Sequence, residues 1–200
     1  MRSPVWKTIV LVLSIAALVG CDKVPQEDVA TCDHAMNAAR AAEASDYAPE
    51  AWSAAEGHRQ QLQSELDSQQ KAFAFSRSYD KAKTLAKETT ELADKAAAEA
   101  ATGKERARQE TADAIAQARQ LKQEVEQLLA KAPRGKGTKA ELAMLKSDAG
   151  STEASLGEAQ EAYDAGSYVD ARSKADGALH KLEGVKAEIE RARQVHGGRA

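Results

Sequence analysis

The sequence contains few aromatic residues, few prolines and only two cysteines among its 200 residues. Aromatic side chains make up 4% of the chain, which is too few to fill a thick globular core. Two cysteines exclude a framework of several disulfides. The chain also has no basic excess, because 28 Lys and Arg face 31 Asp and Glu, and this balance excludes the positive footprint of a nucleic-acid-binding protein.

Charged residues and alanine are abundant instead. Asp, Glu, Lys and Arg make up 30% of the sequence, and alanine dominates its apolar residues. Such a composition is typical of long helices or coiled coils, because these residue types have high helix propensity. We therefore predict an all-α fold: an elongated antiparallel helical bundle or coiled coil of about five helices that share one long helix.

The first twenty residues have the order of a secretory signal. Arg2 and Lys7 precede an apolar run of 12 residues from Thr8 to Val19, and the small Gly20 follows. A helix that spans a bilayer needs about 20 apolar residues. The run is therefore too short for a permanent transmembrane helix, and we interpret residues 1–20 as a signal peptide that is removed.

The motif Leu18-Val19-Gly20-Cys21 resembles the lipobox of bacterial lipoprotein precursors. The resemblance implies a diacylglycerol on the Cys21 thiol, cleavage between Gly20 and Cys21, and further acylation, for example with palmitate, of the new amino group. Two or three acyl chains anchor a protein stably, whereas a single chain is marginal. The alternative is an ordinary secretory signal that ends by accident at a cysteine.

The residues after the cysteine bear on the location of the anchored protein. Asp22 resembles the signal that retains enterobacterial lipoproteins in the inner membrane, and Lys23 opposes it by placing a positive charge beside that carboxylate. The prediction is a cell-envelope lipoprotein that faces the periplasm, with the inner membrane favoured and the outer membrane left open. Without Arg2 and Lys7 the remaining chain has 26 basic and 31 acidic residues, a net charge of −5.

Helix start and stop signals divide the chain after the leader. We expect a tether over 21–26, N-terminal helical hairpins with the long third helix over 27–132, a loop over 133–138, a C-terminal hairpin over 139–195 and a frayed tail over 196–200. Thr138 and Glu141 match a capping box at the start of the fourth helix. Gly166 is expected to end that helix, and Ser167 with Asp170 to cap the fifth.

The N-terminal part is predicted to hold three helices. The first runs from about Glu27 to Ser45, and Asp46 is expected to cap a second helix with Pro49 in its first turn. Apolar residues at helical spacing mark the buried face of the second helix: Trp52, Ala55, Leu62, Leu66 and Phe73. A break at Ser76-Arg77-Ser78 then precedes the third helix.

The third helix is predicted to run from Tyr79 to about Lys131, roughly 80 Å at 1.5 Å per residue. Its alanine-rich stripe stays in phase across Gly103, so we favour one helix with a soft point there over two helices. A second stripe stays in phase across Gly150: Leu142, Leu145, Ala149, Thr152, Leu156, Ala159 and Tyr163.

Two further likenesses concern the helical part. The segment Ala162–Tyr168 resembles the turn of a tetratricopeptide repeat, but the flanking helices are about twice that family's length and no 34-residue period recurs. The repeat's peptide-binding groove is therefore not carried over. Alanine-rich hairpins behind a lipobox are also similar to a family of bacterial lipoproteins of unknown function, which implies an architecture and no activity.

The aromatic residues after the leader cluster at the predicted turns: Tyr47 and Trp52; Phe73, Phe75 and Tyr79; Tyr163 and Tyr168. We interpret them as plugs for the splayed ends of helical hairpins, while alanines let the shafts approach closely. The alternative is that they form platforms for an aromatic-binding ligand.

Residues that carry chemistry are scattered. Acidic side chains interleave with Lys and Arg at spacings of three and four, as on a solvated helix face. Cys32 and His34 suggest a metal-ligand pair at most, so Cys32 is interpreted as a half-exposed thiol, or as one half of an intermolecular disulfide. We predict no enzyme activity, no cofactor, no metal, no nucleic acid and no small-molecule substrate.

These observations leave two functional hypotheses. The first is a structural or protein-interaction scaffold of the cell envelope, which contacts the membrane through its lipid and contacts other envelope proteins or further copies of itself. The second is a helical module that binds a peptide or soluble ligand through the aromatic turns.

Overall fold

The computed structural model describes residues 23–132 and 139–197, and within these ranges the chain is helical with no strand. Its six α-helices pack against one another and confirm the predicted all-α helical bundle. Their bounds are α1 (Gln26–Ala41), α2 (Ala44–Tyr47), α3 (Pro49–Lys71), α4 (Asp80–Ala130), α5 (Lys139–Asp164) and α6 (Tyr168–Gly197), and a 3₁₀ turn (Ala74–Ser76) lies between α3 and α4.

The long helix α4 is continuous through Gly103, as the phase of its stripe predicts. The chain divides into two compact units within this helix, between Ala100 and Ala101. Unit 1 contains α1 to α3 with the first part of α4, and unit 2 contains the rest of α4 with α5 and α6.

In unit 1, helices α1 and α3 run antiparallel. The Arg59 Nε on α3 donates a 3.0 Å hydrogen bond to Asp33 Oδ1 on α1, and the Arg40 guanidinium lies 5.6 Å from the Trp52 ring centroid. Both contacts have the same register, which places the start of α1 at Gln26 beside Leu66 of α3. Residues of α3 beyond Leu66 therefore extend past the N-terminal start of α1.

Helices α3 and α4 form an antiparallel hairpin in unit 1. Lys81 Nζ lies 2.8 Å from Glu65 Oε2, and His58 Nδ1 lies 3.4 Å from Glu88 Oε2. These two contacts also share one register, and its centre falls at Phe73. The core between the three helices is mostly alanine with a few larger residues: Cys32, Met36, Trp52, Leu62, Leu66, Tyr79 and Leu85.

The turn between α1 and α3 differs from the prediction. Helix α1 ends at Ala41 rather than near Ser45, because Glu43 adopts a left-handed conformation with φ 57° and breaks the helical path. Asp46 is wrong as an N-cap, since it lies inside the short helix α2, and Ala48 holds the N-cap position of α3 without a side-chain hydrogen bond. Pro49 occupies the first turn of α3, as predicted.

Unit 2 builds its core from the predicted stripe of α5. Leu145, Ala149, Thr152, Leu156 and Ala159 are all buried, and α5 continues through Gly150. At the end of α5 the amides of Gly166 and Ser167 donate to the carbonyls of Tyr163 and Ala162, and Gly166 has φ 81°. This left-handed glycine ends the helix, as predicted. The Ser167 carbonyl then accepts the amide of Ala171 at the start of α6.

Candidate interaction surfaces

The residues predicted to carry the lipid and the sorting signal lie at the N-terminus. Leu18, Val19, Gly20, Cys21 and Asp22 are outside the described residues, as are Thr138 and the predicted loop over 133–138. Lys23 is the first described residue, and its side chain is exposed. Among the helices of the described residues, none is both long and apolar enough to cross a membrane.

Cys32 lies in the core of unit 1 with 0% of its surface exposed, so the prediction of a half-exposed thiol is wrong. Burial raises the pKa of this thiol, and the Arg59 charge opposes the shift. The Thr89 side chain lies in hydrogen-bond contact with the thiol, while its own hydroxyl donates to the Leu85 carbonyl at 2.6 Å. A neutral, buried thiol is poorly placed for an intermolecular disulfide.

Cys32 and His34 do not form a common site. Cys32 is buried in the core, whereas His34 is exposed on the opposite side of α1, as two residues separated by two positions in a helix are expected to be. Over 23–132 and 139–197, no group of three His, Cys, Asp or Glu side chains is arranged to hold a metal ion.

The turn aromatics follow the plug interpretation in part. Trp52 and Tyr79 are buried, and Tyr47, Tyr163 and Tyr168 are half-buried. The rings of Tyr163 and Tyr168 lie 5.2 Å apart with a tilt of 58° and close one end of the α5–α6 hairpin. For these residues the rings fill the ends of hairpins, as predicted.

The plug interpretation is wrong for Phe73 and Phe75. Their side chains are 77% and 86% exposed, and the two rings stack with centroids 5.8 Å apart and planes 13° from parallel. Phe73 has the helical spacing of the buried residues of α3. However, α3 ends at Lys71, and α1 covers α3 only as far as Leu66. We call residues 72–78 the aromatic tip.

The aromatic tip is held by hydrogen bonds within the chain. Arg77 donates from Nε to the Ala72 carbonyl at 3.1 Å and from Nη2 to the Gln70 carbonyl at 3.0 Å. The Ser78 amide donates to Gln69 Oε1 at 3.1 Å. Ser76 donates to the Phe73 carbonyl from both its amide and its hydroxyl, each at 2.9 Å. These bonds pair the carbonyls of Gln70, Ala72 and Phe73 and the amide of Ser78, and they brace the backbone that carries the two rings.

Ion pairs link the helices of unit 2 along their exposed faces. Lys122 Nζ contacts Glu126 on its own helix at 2.7 Å and Glu153 on α5 at 2.6 Å. These hydrogen bonds raise the pKa of Lys122 and lower that of Glu153. Pairs Lys174–Glu158 and Lys186–Glu124 join further helices at 2.9 and 2.7 Å. Exposed pairs contribute little to stability, about 0–1 kcal/mol each, so these faces chiefly keep the helices solvated and in register.

Unit 2 also presents a groove and two exposed apolar side chains. The groove has a volume of about 500 Å³ and is lined by Glu126, Leu129, Ala130, Leu142, Ala143, Lys146, Ala149 and Gly150. Met144 and Val169 are 68% and 51% exposed. Single exposed apolar residues are common on protein surfaces, so Met144 and Val169 mark positions for a contact test and not a site by themselves.

Charged and polar side chains of α4 form a local cluster just after Gly103. Arg108 donates two hydrogen bonds to Glu105, at 2.8 and 2.9 Å, and Gln109 donates a third to the same carboxylate. The Arg108 bonds, together with that of Gln109, lower the pKa of Glu105 to about 2. These contacts occur along one helix face, which is typical of a solvated surface.

Comparison of the chain with models of known protein families, with curated proteins and with solved structures finds no match. The likenesses to a lipobox and to a tetratricopeptide turn therefore rest on the residues quoted for them. The helices that flank the tetratricopeptide-like turn, α5 and α6, have 26 and 30 residues and are much longer than the helices of a tetratricopeptide repeat.

Proposed function

We propose that the protein is a lipid-anchored lipoprotein of the bacterial cell envelope, with its helical units in the periplasm as a scaffold for protein contacts. The observation that carries the proposal is the motif Leu18-Val19-Gly20-Cys21 at the end of a 12-residue apolar run. A thiol at that position is the acceptor that lipid transfer requires, and small neighbours suit cleavage before it. Helix α1 begins at Gln26, only five positions after Cys21.

The scaffold role is supported by the architecture behind the anchor. Both units are bundles of long helices with alanine-rich contacts and charged outer faces, which suit a stiff support more than a deep ligand site. Interaction surfaces are then side chains on the outside of helices. Met144, which is 68% exposed, is the most exposed large apolar side chain among the described residues of unit 2.

The anchor is tested by lipid labelling in cells. Wild-type protein is expected to incorporate labelled palmitate, and Cys21→Ser is expected to lose the label and to accumulate as an uncut precursor. Cys32→Ala is the matched control, because it removes the chain's other cysteine and leaves the proposed acceptor. Labelling of Cys21→Ser at the wild-type level would refute the anchor.

Protein contacts are tested by photocrosslinking in the native host. A photoreactive phenylalanine analogue at Met144 is expected to capture an envelope protein or a second copy of the chain. The control position is Ser173, which is exposed on α6 but polar. Equal crosslinking at both positions, or none at Met144, would contradict a contact through this side chain.

The inner membrane is proposed as the location because Asp22 follows the lipidated cysteine. A carboxylate there is expected to pair with a lipid ammonium and to hinder release by the sorting machinery, while Lys23 weakens this effect. Envelopes from the host are separated on a density gradient. Wild type is expected in the inner-membrane fraction, and Asp22→Ser is expected to move to the outer-membrane fraction. Wild type in the outer membrane, unmoved by the substitution, would reduce Asp22 to part of the tether.

A further inference from the structure

The aromatic tip carries the two most exposed large apolar side chains in the described part of the chain. Its two phenylalanines are 77% and 86% exposed and lie against each other, so they form one contiguous apolar patch. Exposed pairs of large aromatic rings are unfavourable in water, and contiguous exposed patches mark sites of contact with proteins or membranes.

Part of the tip's backbone is hydrogen-bonded from within the chain. Arg77 and Ser76 satisfy the carbonyls of Gln70, Ala72 and Phe73 from within the chain. Backbone groups that enter a bilayer interface without such partners carry a high desolvation penalty. The fixed turn also holds both rings in place before binding, which reduces the conformational entropy lost on contact.

The charges near the rings suit a lipid headgroup region. Lys71 and Arg77 flank the two phenylalanines, and no carboxylate occurs in the sequence between Asp67 and Asp80. The Asp80 carboxylate itself is bound by Lys83 Nζ at 3.3 Å. Basic side chains beside apolar anchors lie at the level of headgroup phosphates, while the rings enter the boundary with the acyl chains.

The topology of unit 1 places the tip at the end of the unit that carries the N-terminus. Because Gln26 lies beside Leu66, Phe73 lies further along the direction of α3 by five helical positions and two extended ones, at most about 14 Å. From Pro25 back to Cys21 there are four residues, which span at most about 14 Å when extended. A lipid on Cys21 is therefore able to lie in the same plane as the aromatic tip.

We propose that the aromatic tip inserts into the interface of the same bilayer that holds the lipid on Cys21 and provides a second point of attachment for unit 1. This inference depends on the proposed anchor, because the anchor keeps the tip at a high local concentration beside the bilayer. With two attachments, unit 1 no longer swings freely on its tether, and the tip end of the hairpin faces the membrane.

The test uses the full chain, expressed in a lipidating bacterium and reconstituted into vesicles of phosphatidylcholine and phosphatidylglycerol. Phe75→Trp places a fluorescent ring in the tip, and wild type supplies the baseline from the buried Trp52. Brominated phosphatidylcholine is expected to quench the added fluorescence at least twofold, with a shift of its emission to shorter wavelength. Ser45→Trp is the matched control, because Ser45 is exposed at the opposite end of unit 1, and it is expected to remain unquenched.

Mass spectrometry of the same sample separates the two proposals. Lipid on Cys21 together with unquenched Phe75→Trp overturns the insertion and leaves the anchor. An unmodified Cys21 overturns the anchor, whatever the quenching. Emission of Phe75→Trp that shifts only as the protein-to-lipid ratio rises, without quenching, assigns the tip to contact between copies and also overturns the insertion. Thermal unfolding of both variants, within about 2 °C of wild type, verifies that neither exposed substitution disturbs the fold.

Discussion

Ala118 lies where the three helices of unit 2 meet, and replacing it with leucine tests how closely they pack. The residue is 0% exposed on α4 and belongs to a small core with Leu156 of α5 and Ala178 of α6, each 3% exposed. A methyl group at this position lets the helix axes approach, since small residues permit short interaxial distances. Leucine adds three carbon atoms at this position. Because Ala118 is fully buried, the added atoms have no route to solvent and must fit between the helices.

The expected cost follows from overpacking. Inserting extra carbon atoms into a well-packed core costs about 1–3 kcal/mol, whereas alanine and leucine differ by only a few tenths of a kcal/mol in helix propensity. For a unit of about 100 residues, each kcal/mol lowers the melting temperature by about 4–8 °C. Ala118→Leu is therefore expected to lower the melting temperature by about 4–24 °C.

The measurement is thermal unfolding followed by circular dichroism at 222 nm. Ala116→Leu is the matched control, because Ala116 lies in the same turn of α4 and is exposed. The control is expected to melt within about 2 °C of wild type, as surface substitutions usually do. If Ala118→Leu melts together with Ala116→Leu, the helices of unit 2 do not meet closely at this level and the alanine stripe is not a packing device.

Three further predictions use single residues. Leu182→Ala, at a fully buried position beside Val125, is expected to destabilise the protein by about 2–5 kcal/mol in urea unfolding, and a loss under 1 kcal/mol would contradict its place in the core. Cys32 of the folded protein is expected to resist a thiol reagent at pH 8 and to react fully in urea, because the thiol is buried and its pKa is raised. Rapid labelling of the folded protein would show that the thiol is accessible to solvent. Lys81 lowers the pKa of Glu65 on folding, so the stabilisation is present above about pH 4.5 and is lost as the pH falls through the lowered pKa of the folded state. Glu65→Gln should melt below wild type at pH 7, and the difference should shrink as the pH is lowered below 4.5; a constant difference would exclude the pair as the cause.

Helical periodicity was sufficient to predict most buried positions. The stripe from Leu142 to Tyr163 and the continuity of α4 at Gly103 follow from phase alone, because a residue every three or four positions stays on one face of a helix. One glycine costs only about 1 kcal/mol in a helix interior, which the packing of a long stripe outweighs. Gly166 was predictable for a different reason, since a left-handed end of a helix favours glycine.

Phe73 shows where periodicity fails. The residue is in phase with Leu62 and Leu66, but burial needs a partner helix, and α1 begins at Gln26 beside Leu66. The length of α1, which decides how much of α3 is covered, cannot be predicted from the apolar spacing of α3. The left-handed Glu43 that ends α1 early has no glycine or asparagine signal in the sequence. Cys32 was misjudged for a related reason, because the core around it depends on Thr89, 57 positions away.

The measurement that tests the central claim most directly is the mass of the N-terminus of the protein extracted from the envelope of its host. The account predicts a chain that begins at Cys21 and carries a diacylglyceryl group, with or without an additional acyl chain on its amino group. An unmodified chain that retains residues 1–20, or one cut elsewhere with a free Cys21 thiol, would contradict it.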